Sequence, residues 1–432
     1  MEINHNLQFQ SASAIQAFQE KKLKETLANV AKHSPFYQKL FAKHSVDLSQ
    51  INTLADLTKL PLVSKDDLQL HNDDFLAVAP NKIIDFASTS GTLGEPVSFG
   101  LTDQDLERLA FNEATSFQIA GVQKGDLVQL MTTMDRRFMA GLAYFLGLRK
   151  LGASIIRVGA GIPEMQWDSI LKYRPKYLIG VPSFLLKLID FAEKNNIAYQ
   201  SSSIEGVICI GESLRTADLQ PNVLAKKITD KWPIQLFSTY ASTEMSTAFT
   251  ECSFQQGGHL IPELILTEIL DENLKAVEDG ELGELVVTTL GVEAMPLVRY
   301  RTGDMLRKHL SLCGCGRQTY RLGPVEGRKK QMIKYKGTTF YPPAMLEILN
   351  AFEGIDLFQI EVSNNAIGTD EITIYLATST PSEALISSLK DTFSAKIRVR
   401  PQIQFVKLQD LQAQVFTPQS RKALTFVDKR IV

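Results

Sequence analysis

Residues 176–211 read KYLIGVPSFLLKLIDFAEKNNIAYQSSSIEGVICIG. The apolar runs at its two ends, 176–181 and 206–211, have the length of buried strands, and the segment 183–195 between them spaces its apolar residues as a helix does. Strand, helix and strand in that order form a βαβ unit, which implies a parallel sheet covered on both faces. Working outward, LVQLM (127–131), ASIIRV (153–158) and IQLF (234–237) extend the same pattern, with helical stretches near 138–151, 163–173 and 221–231. Further towards the N-terminus, residues 13–32 read as an amphipathic helix stopped by Ser34-Pro35, and a second helix runs from Asp103 to Ala120 with Thr102 as its N-cap.

Past residue 260 the texture changes. LILTEIL (264–270) and GELVVTTL (283–290) read as antiparallel strands. The last hundred residues form a small α+β pattern: a helix at 343–352, strands at 357–363 and 371–378, a helix at 382–396 and a strand at 402–407. The charged GRKKQ (327–331), between two apolar blocks, is the natural hinge. The expected fold is α/β: a large N-terminal domain (1–327) of mostly parallel sheet flanked by helices, with a β-rich subdomain, and a small α+β C-terminal domain (328–432).

Composition bounds the function. A chain of 432 residues exceeds one ordinary domain, and 44% hydrophobic with 22% charged residues excludes a mostly disordered or coiled-coil protein. The net charge of −2 carries no basic excess for nucleic acid or an anionic membrane. Four cysteines are too few for a disulfide scaffold of this size. The N-terminal MEINHNLQFQSASAIQAFQEKK lacks the apolar core of a signal peptide, and apolar stretches such as 138–148 are broken by Gly, well short of the ~20 residues of a membrane span. A cytoplasmic protein is expected.

Five segments carry chemistry. Ser88-Thr-Ser-Gly-Thr-Leu-Gly-Glu-Pro96 follows the apolar IIDFA and offers hydroxyls and glycines suited to gripping phosphate, although no Lys follows as in a Walker loop. Ser238-Thr-Tyr-Ala-Ser-Thr-Glu244 follows the strand IQLF, placing an acid where open α/β sheets bind ligands. In Pro296-Leu-Val-Arg-Tyr-Arg-Thr-Gly-Asp304 the aspartate can accept from vicinal hydroxyls, or simply pair with Arg301. Gly327-Arg-Lys-Lys-Gln-Met-Ile-Lys-Tyr-Lys-Gly337 and Ser420-Arg-Lys-Ala423 are cationic; alone they read as solvated faces.

Taken in order, these segments resemble the adenylate-forming superfamily of acyl-CoA synthetases, and most closely the phenylacetate–CoA ligases. The matching strings are STSGTLGEP (88–96), IGES (210–213), YASTE (240–244), GELGELVVTTL (280–290), PLVRYRTGD (296–304) and GRKKQMIKYKGTTFYP (327–342), with HSPFYQKLF (33–41) and PLVSKDDL (61–68) upstream. The resemblance implies an ATP-dependent acid–thiol ligase that activates an aromatic carboxylic acid as acyl-AMP and passes it to coenzyme A. Transfer to a carrier-protein thiol or an amine stays open, as does a catalytically inactive nucleotide-binding protein. It implies that Thr89, Ser90, Gly91, Thr92 and Gly94 cradle the ATP phosphates, and that Gly211, Glu212, Ser213 and Tyr240 line the adenine pocket. Thr243 would lie by the α-phosphate, Glu244 would ligate Mg²⁺ and Asp304 would hold the ribose. Arg328 would close on the nucleotide, Lys330 would mark the hinge, Lys422 would be the catalytic cation, and the C-terminal domain would be a rotating lid. A homodimer is compatible with it. Three departures stand out: Glu95 where relatives often carry a cation, Lys-Lys at the hinge, and a weak match around Lys422.

The resemblance does not account for Cys252-x6-His259 and Cys313-Gly-Cys315-Gly. Three thiols and an imidazole suit a closed tetrahedral zinc site, with Gly314 and Gly316 permitting a tight knuckle; reduced, unliganded thiols are the alternative. Cys209, in the apolar VICI, reads as core. An acid pocket is expected around 132–145 and 235–245, with Phe138 and Tyr240 flanking a ring.

Overall fold

The computed structural model describes residues 7–89, 96–335, 338–364, 370–417 and 423–430. It divides into two compact units: residues 1–302 with 306–324, and residues 303–305 with 325–432.

In the first unit, the five apolar runs become the strands Leu127–Leu130, Ser154–Arg157, Tyr177–Gly180, Gly206–Ile210 and Gln235–Ser242, each parallel to its neighbours. Their crossovers are the helices Met139–Leu151, Pro163–Tyr173, Pro182–Lys194 and Val223–Thr229. Tyr177–Gly180 and Gly206–Ile210 are buried at every position, as strands covered on both faces must be. Leu178, Leu185, Leu188, Ile189, Val207 and Leu236 form one core with Trp167 and Trp232, and the buried indole Nε1 of Trp167 donates to Leu188 O at 2.9 Å.

The β-rich part grows from the same sheet. Thr247–Thr250 folds back antiparallel on Gln235–Ser242, and the path continues through Gly258–His259, Arg321–Leu322, Tyr300–His309 and Leu282–Thr289 to Ile265–Leu270. The expected antiparallel pair is there, with Ile265 opposite Thr289 and Leu270 opposite Glu284.

Thr102 caps the helix Asp103–Ile119 in a reciprocal capping box with Asp105. The helix Ala12–His33 ends at Ser34 as expected, but Pro35 opens a further helix, Pro35–Lys43. Proline is well tolerated there, because the first helical N–H has no partner in the helix to lose.

The second unit has a four-stranded sheet built from Leu357–Asn364, Asp370–Ala377, Gln402–Phe405 and Phe426–Asp428, with the helices Pro342–Ala351, Glu383–Ile397 and Leu408–Val415. Its core includes Ile333, Met345, Ile348, Ile360, Ile374, Leu389 and Phe393. Sequence reading misses Leu408–Val415 and Phe426–Asp428. The first is short and polar, and the second is a three-residue strand whose apolar content is too small to show a period. Among the described residues no helix is long and apolar enough to cross a membrane.

Candidate active site

The Ser/Thr/Gly segment sits between the paired strands Asp85–Ser88 and Ser98–Leu101. Thr89 closes its base: its N–H donates to Val97 O and its Oγ1 accepts from Val97 N, both at 3.0 Å. Ser90, Gly91, Thr92 and Gly94 lie outside the described residues, as does Lys422.

Glu244 occupies the hairpin turn between Gln235–Ser242 and Thr247–Thr250, at the end of the last parallel strand, where Ser242 is the register partner of Thr247. Ser242 Oγ accepts from Met245 N at 3.3 Å, Ser246 Oγ donates to Thr243 O at 3.2 Å, and Met245 beneath is fully buried. The Glu244 side chain is 12% exposed and faces the Lys65 ammonium at 3.6 Å. A mostly buried carboxylate at this turn offers oxygen donors suited to a hard divalent ion. Sequence reading gives Lys65 no role. The signal was present: Ser64 and Asp67 form a capping box that makes Lys65 the first residue of the helix Lys65–Leu70, where the helix dipole disfavours a cation.

Tyr240 stacks on Phe249 with ring centroids 5.9 Å apart. Gly211, at φ +79°, turns the chain sharply out of Gly206–Ile210 in a conformation that favours glycine. The Glu212 carboxylate accepts from Ser183 N and Ser183 Oγ, both at 2.8 Å, at the positive end of the helix Pro182–Lys194. Ser213 Oγ donates to Arg215 O at 3.0 Å. The side chains of Glu212 and Ser213 thus hold the segment in shape.

In the second unit, Arg328 Nε donates to Asp304 Oδ1 at 3.2 Å, and the two residues are register partners in an antiparallel pair. Arg301 instead pairs with Glu284, Nη2 to Oε2 at 2.6 Å, so Asp304 is not an ordinary turn aspartate held by Arg301. A Cβ at Gly327 would stand 2.1 Å from Tyr341 Cγ, which explains the glycine at the head of GRKK. Lys330 is exposed, and its carbonyl accepts from Arg430 Nη2 at 3.4 Å.

The cysteines and histidine assemble in the first unit. Ligand atoms of Cys252, His259, Cys313 and Cys315 all lie within 4.8 Å of one another. Cys252 Sγ is 3.6 Å from Cys313 Sγ, and His259 Nε2 is 3.4 Å from Cys252 Sγ and 3.5 Å from Cys315 Sγ. A tetrahedral ion with Zn–S of about 2.3 Å and Zn–N of about 2.0–2.1 Å puts two sulfurs about 3.8 Å apart and a sulfur and nitrogen about 3.5 Å apart. The thiols are free, and Gly316 at φ +85° forms the knuckle. Burial, with Arg317 and Arg321 nearby, pushes the His259 imidazole down to about 3, leaving it neutral with a lone pair to give. The cluster can hold a metal. Cys209 is buried in its strand, as expected of a core residue.

Residues 5–294 match the family described as AMP-binding enzyme. The phenylacetate–coenzyme A ligase of Thermus thermophilus is 30% identical over 374 residues, covering 85% of this chain and 82% of that protein. Its counterpart in Escherichia coli K12 is 29% identical, covering 82% of this chain and 80% of that protein. Among solved structures, a 2-hydroxyisobutyryl-CoA ligase in its postadenylation state aligns with a TM-score of 0.84 over 98% of this chain and 91% of its own, at 22% identity, a likeness of fold. The chain belongs to the AMP-binding enzyme family, alongside the phenylacetate–coenzyme A ligases.

Proposed function

We propose that this enzyme is an ATP-dependent acid–coenzyme A ligase that activates an aromatic, phenylacetate-like carboxylic acid as acyl-AMP and transfers the acyl group to the coenzyme A thiol. The observation that carries the reading is the Glu244 turn, which presents a nearly buried carboxylate at the end of the last parallel strand, in a chain with phenylacetate–coenzyme A ligases among its relatives. Its partners on this reading are the acid, ATP and coenzyme A, without nucleic acid or membrane, and its place is the cytoplasm.

Adenylation brings two anions together as the carboxylate attacks the α-phosphorus and pyrophosphate leaves. Mg²⁺, when bound, neutralises phosphate charge; Glu244 is the residue that would hold it. Thr89, Ser90, Gly91, Thr92 and Gly94 grip the phosphates, Thr243 lies by the α-phosphate, and Lys422 offsets charge in this step. Gly211, Glu212, Ser213 and Tyr240 frame the adenine, Asp304 holds the ribose hydroxyls, and Arg328, paired to Asp304, closes on the nucleotide. In the second step the thiol attacks the acyl carbonyl and AMP leaves. The two steps make different demands, which residues 328–432 meet as a lid turning about Lys330 against the domain 1–327. Cys252, His259, Cys313 and Cys315 would hold a zinc ion in a structural role, because four protein ligands leave no open position for catalysis.

The test is ATP–pyrophosphate exchange over a panel of aromatic and aliphatic acids. Exchange that depends on an aromatic acid supports the reading, and exchange with none of them removes it. Thioester formation with coenzyme A, compared with carrier-protein and amine acceptors, then decides the second half.

A further inference from the structure

The helix Asp103–Ile119 buries polar side chains on the side that meets Thr247–Thr250. Arg108, Asn112 and Ser116, spaced four residues apart, make one stripe of its surface, and all three are buried. Arg108 Nη1 donates to Ser246 O at 2.6 Å and its Nη2 to Thr247 Oγ1 at 3.0 Å. Asn112 Oδ1 accepts from Ala248 N at 3.0 Å, and the Ser116 hydroxyl pairs with that of Thr250. Four helical residues rise about 6 Å and two strand residues about 6.7 Å, so the two repeats stay in step along this contact.

Arg108 does more than pair with the strand. Its Nε donates to Leu290 O and its Nη2 to Leu264 O, both at 2.7 Å. One rigid fork thus satisfies three carbonyls from three separate segments, a task to which the guanidinium is suited and an ammonium is not. Ser246, which it grips, holds φ +49°, a conformation that L side chains rarely adopt, and Glu244 lies two residues earlier in the same turn.

We propose that the Arg108 end of this stripe, backed by Asn112, is a splint for the Glu244 turn, and that Arg108 is a positioning residue that fixes the metal-holding carboxylate by locking Ser246. This rests on the reading of Glu244 as the Mg²⁺ ligand. Groups that orient a metal ligand from behind typically change metal affinity or activity ~10–100-fold when removed.

The experiment measures the Mg²⁺ concentration giving half-maximal ATP–pyrophosphate exchange, alongside the melting temperature and the KM for the acid. Arg108→Lys keeps the charge but loses the fork, and should raise the half-maximal Mg²⁺ ~10-fold while the acid KM moves little. Asn112→Ala should raise it less, and Ser116→Ala, at the far end of the strand, should leave it unchanged. Gln129→Leu, which removes a buried amide bonded to Gln166, is the reference for lost stability alone. A purely structural role predicts that half-maximal Mg²⁺ follows melting temperature whatever the position on the stripe, and that outcome overturns the splint. Should Arg108→Lys not fold, Thr247→Val removes one acceptor of the fork and keeps the shape; wild-type Mg²⁺ dependence in it also overturns the proposal. Glu244→Gln separates the two layers. Normal exchange at normal Mg²⁺ in that variant removes the reading of Glu244 itself, whereas its loss together with an unaffected Arg108→Lys removes only the splint.

Discussion

Glu244 and Glu113 show how placement assigns opposite roles to one side-chain type. Glu244 stands beside the Lys65 ammonium and is available to a cation. Glu244→Gln is expected to abolish acid-dependent pyrophosphate exchange while the circular dichroism spectrum and melting temperature stay close to wild type, because it removes a charge without changing volume. Glu113 is enclosed in the helix Asp103–Ile119. Burial pushes its carboxyl up to about 8, with the hydrogen bond from Asn112 opposing. The folded chain therefore binds a proton that the unfolded chain, with a value near 4.5, has released. Its contribution to stability is complete below pH 4.5 and is lost as pH rises to about 8, at up to ~1.4 kcal/mol per pH unit. Denaturant titrations at pH 5.5 and 7.5 should show the wild type losing more stability across that interval than Glu113→Gln; equal losses would remove the buried acid from the pH response. At this scale sequence marks Glu244 through its neighbours in YASTE. Lys65, Arg108 and Asn112 stay hidden because their roles depend on strands and turns distant in the chain, which no local period reports.

Among the elements, the parallel half was legible because strands buried on both faces must be continuously apolar, and the runs around Leu178 and Val207 are so. The Cys–His cluster was legible because three of the four cysteines and one histidine fall into two short segments, although only folding places Cys252, His259 and Cys313 on neighbouring segments. Less visible was the polar stripe of Asp103–Ile119, where sequence reading yields a helix with a good N-cap and nothing about what it supports. The zinc proposed for Cys252, His259, Cys313 and Cys315 predicts one tightly held metal per chain that resists dialysis. Cys313→Ser should lose it and lower the melting temperature, because metal binding contributes to folding free energy. Elemental analysis with thermal melting checks this; a metal-free wild type of equal stability contradicts it.

For the whole molecule, acid–coenzyme A ligation through an acyl-AMP asks one chain to perform two chemically different steps. Only the first brings two anions together, so only the first needs a cation, the role proposed for the Lys422 ammonium. Lys422→Ala should slow acyl-adenylate formation at least ~10²-fold, about 2.7 kcal/mol of transition-state stabilisation, and leave thioester formation from pre-made acyl-adenylate nearly unchanged. Single-turnover kinetics of each half-reaction tests this, and an unaffected first step would move the role to Lys429 or Lys407. Splitting of ATP to AMP in making a thioester is read out by product stoichiometry. Purified enzyme is incubated with phenylacetate, ATP, Mg²⁺ and coenzyme A, and the products are separated and quantified by chromatography and mass spectrometry. AMP, pyrophosphate and phenylacetyl-coenzyme A are expected in equal amounts, each absent without the acid. ADP and phosphate as the products, or AMP released with no coenzyme A thioester, would contradict it.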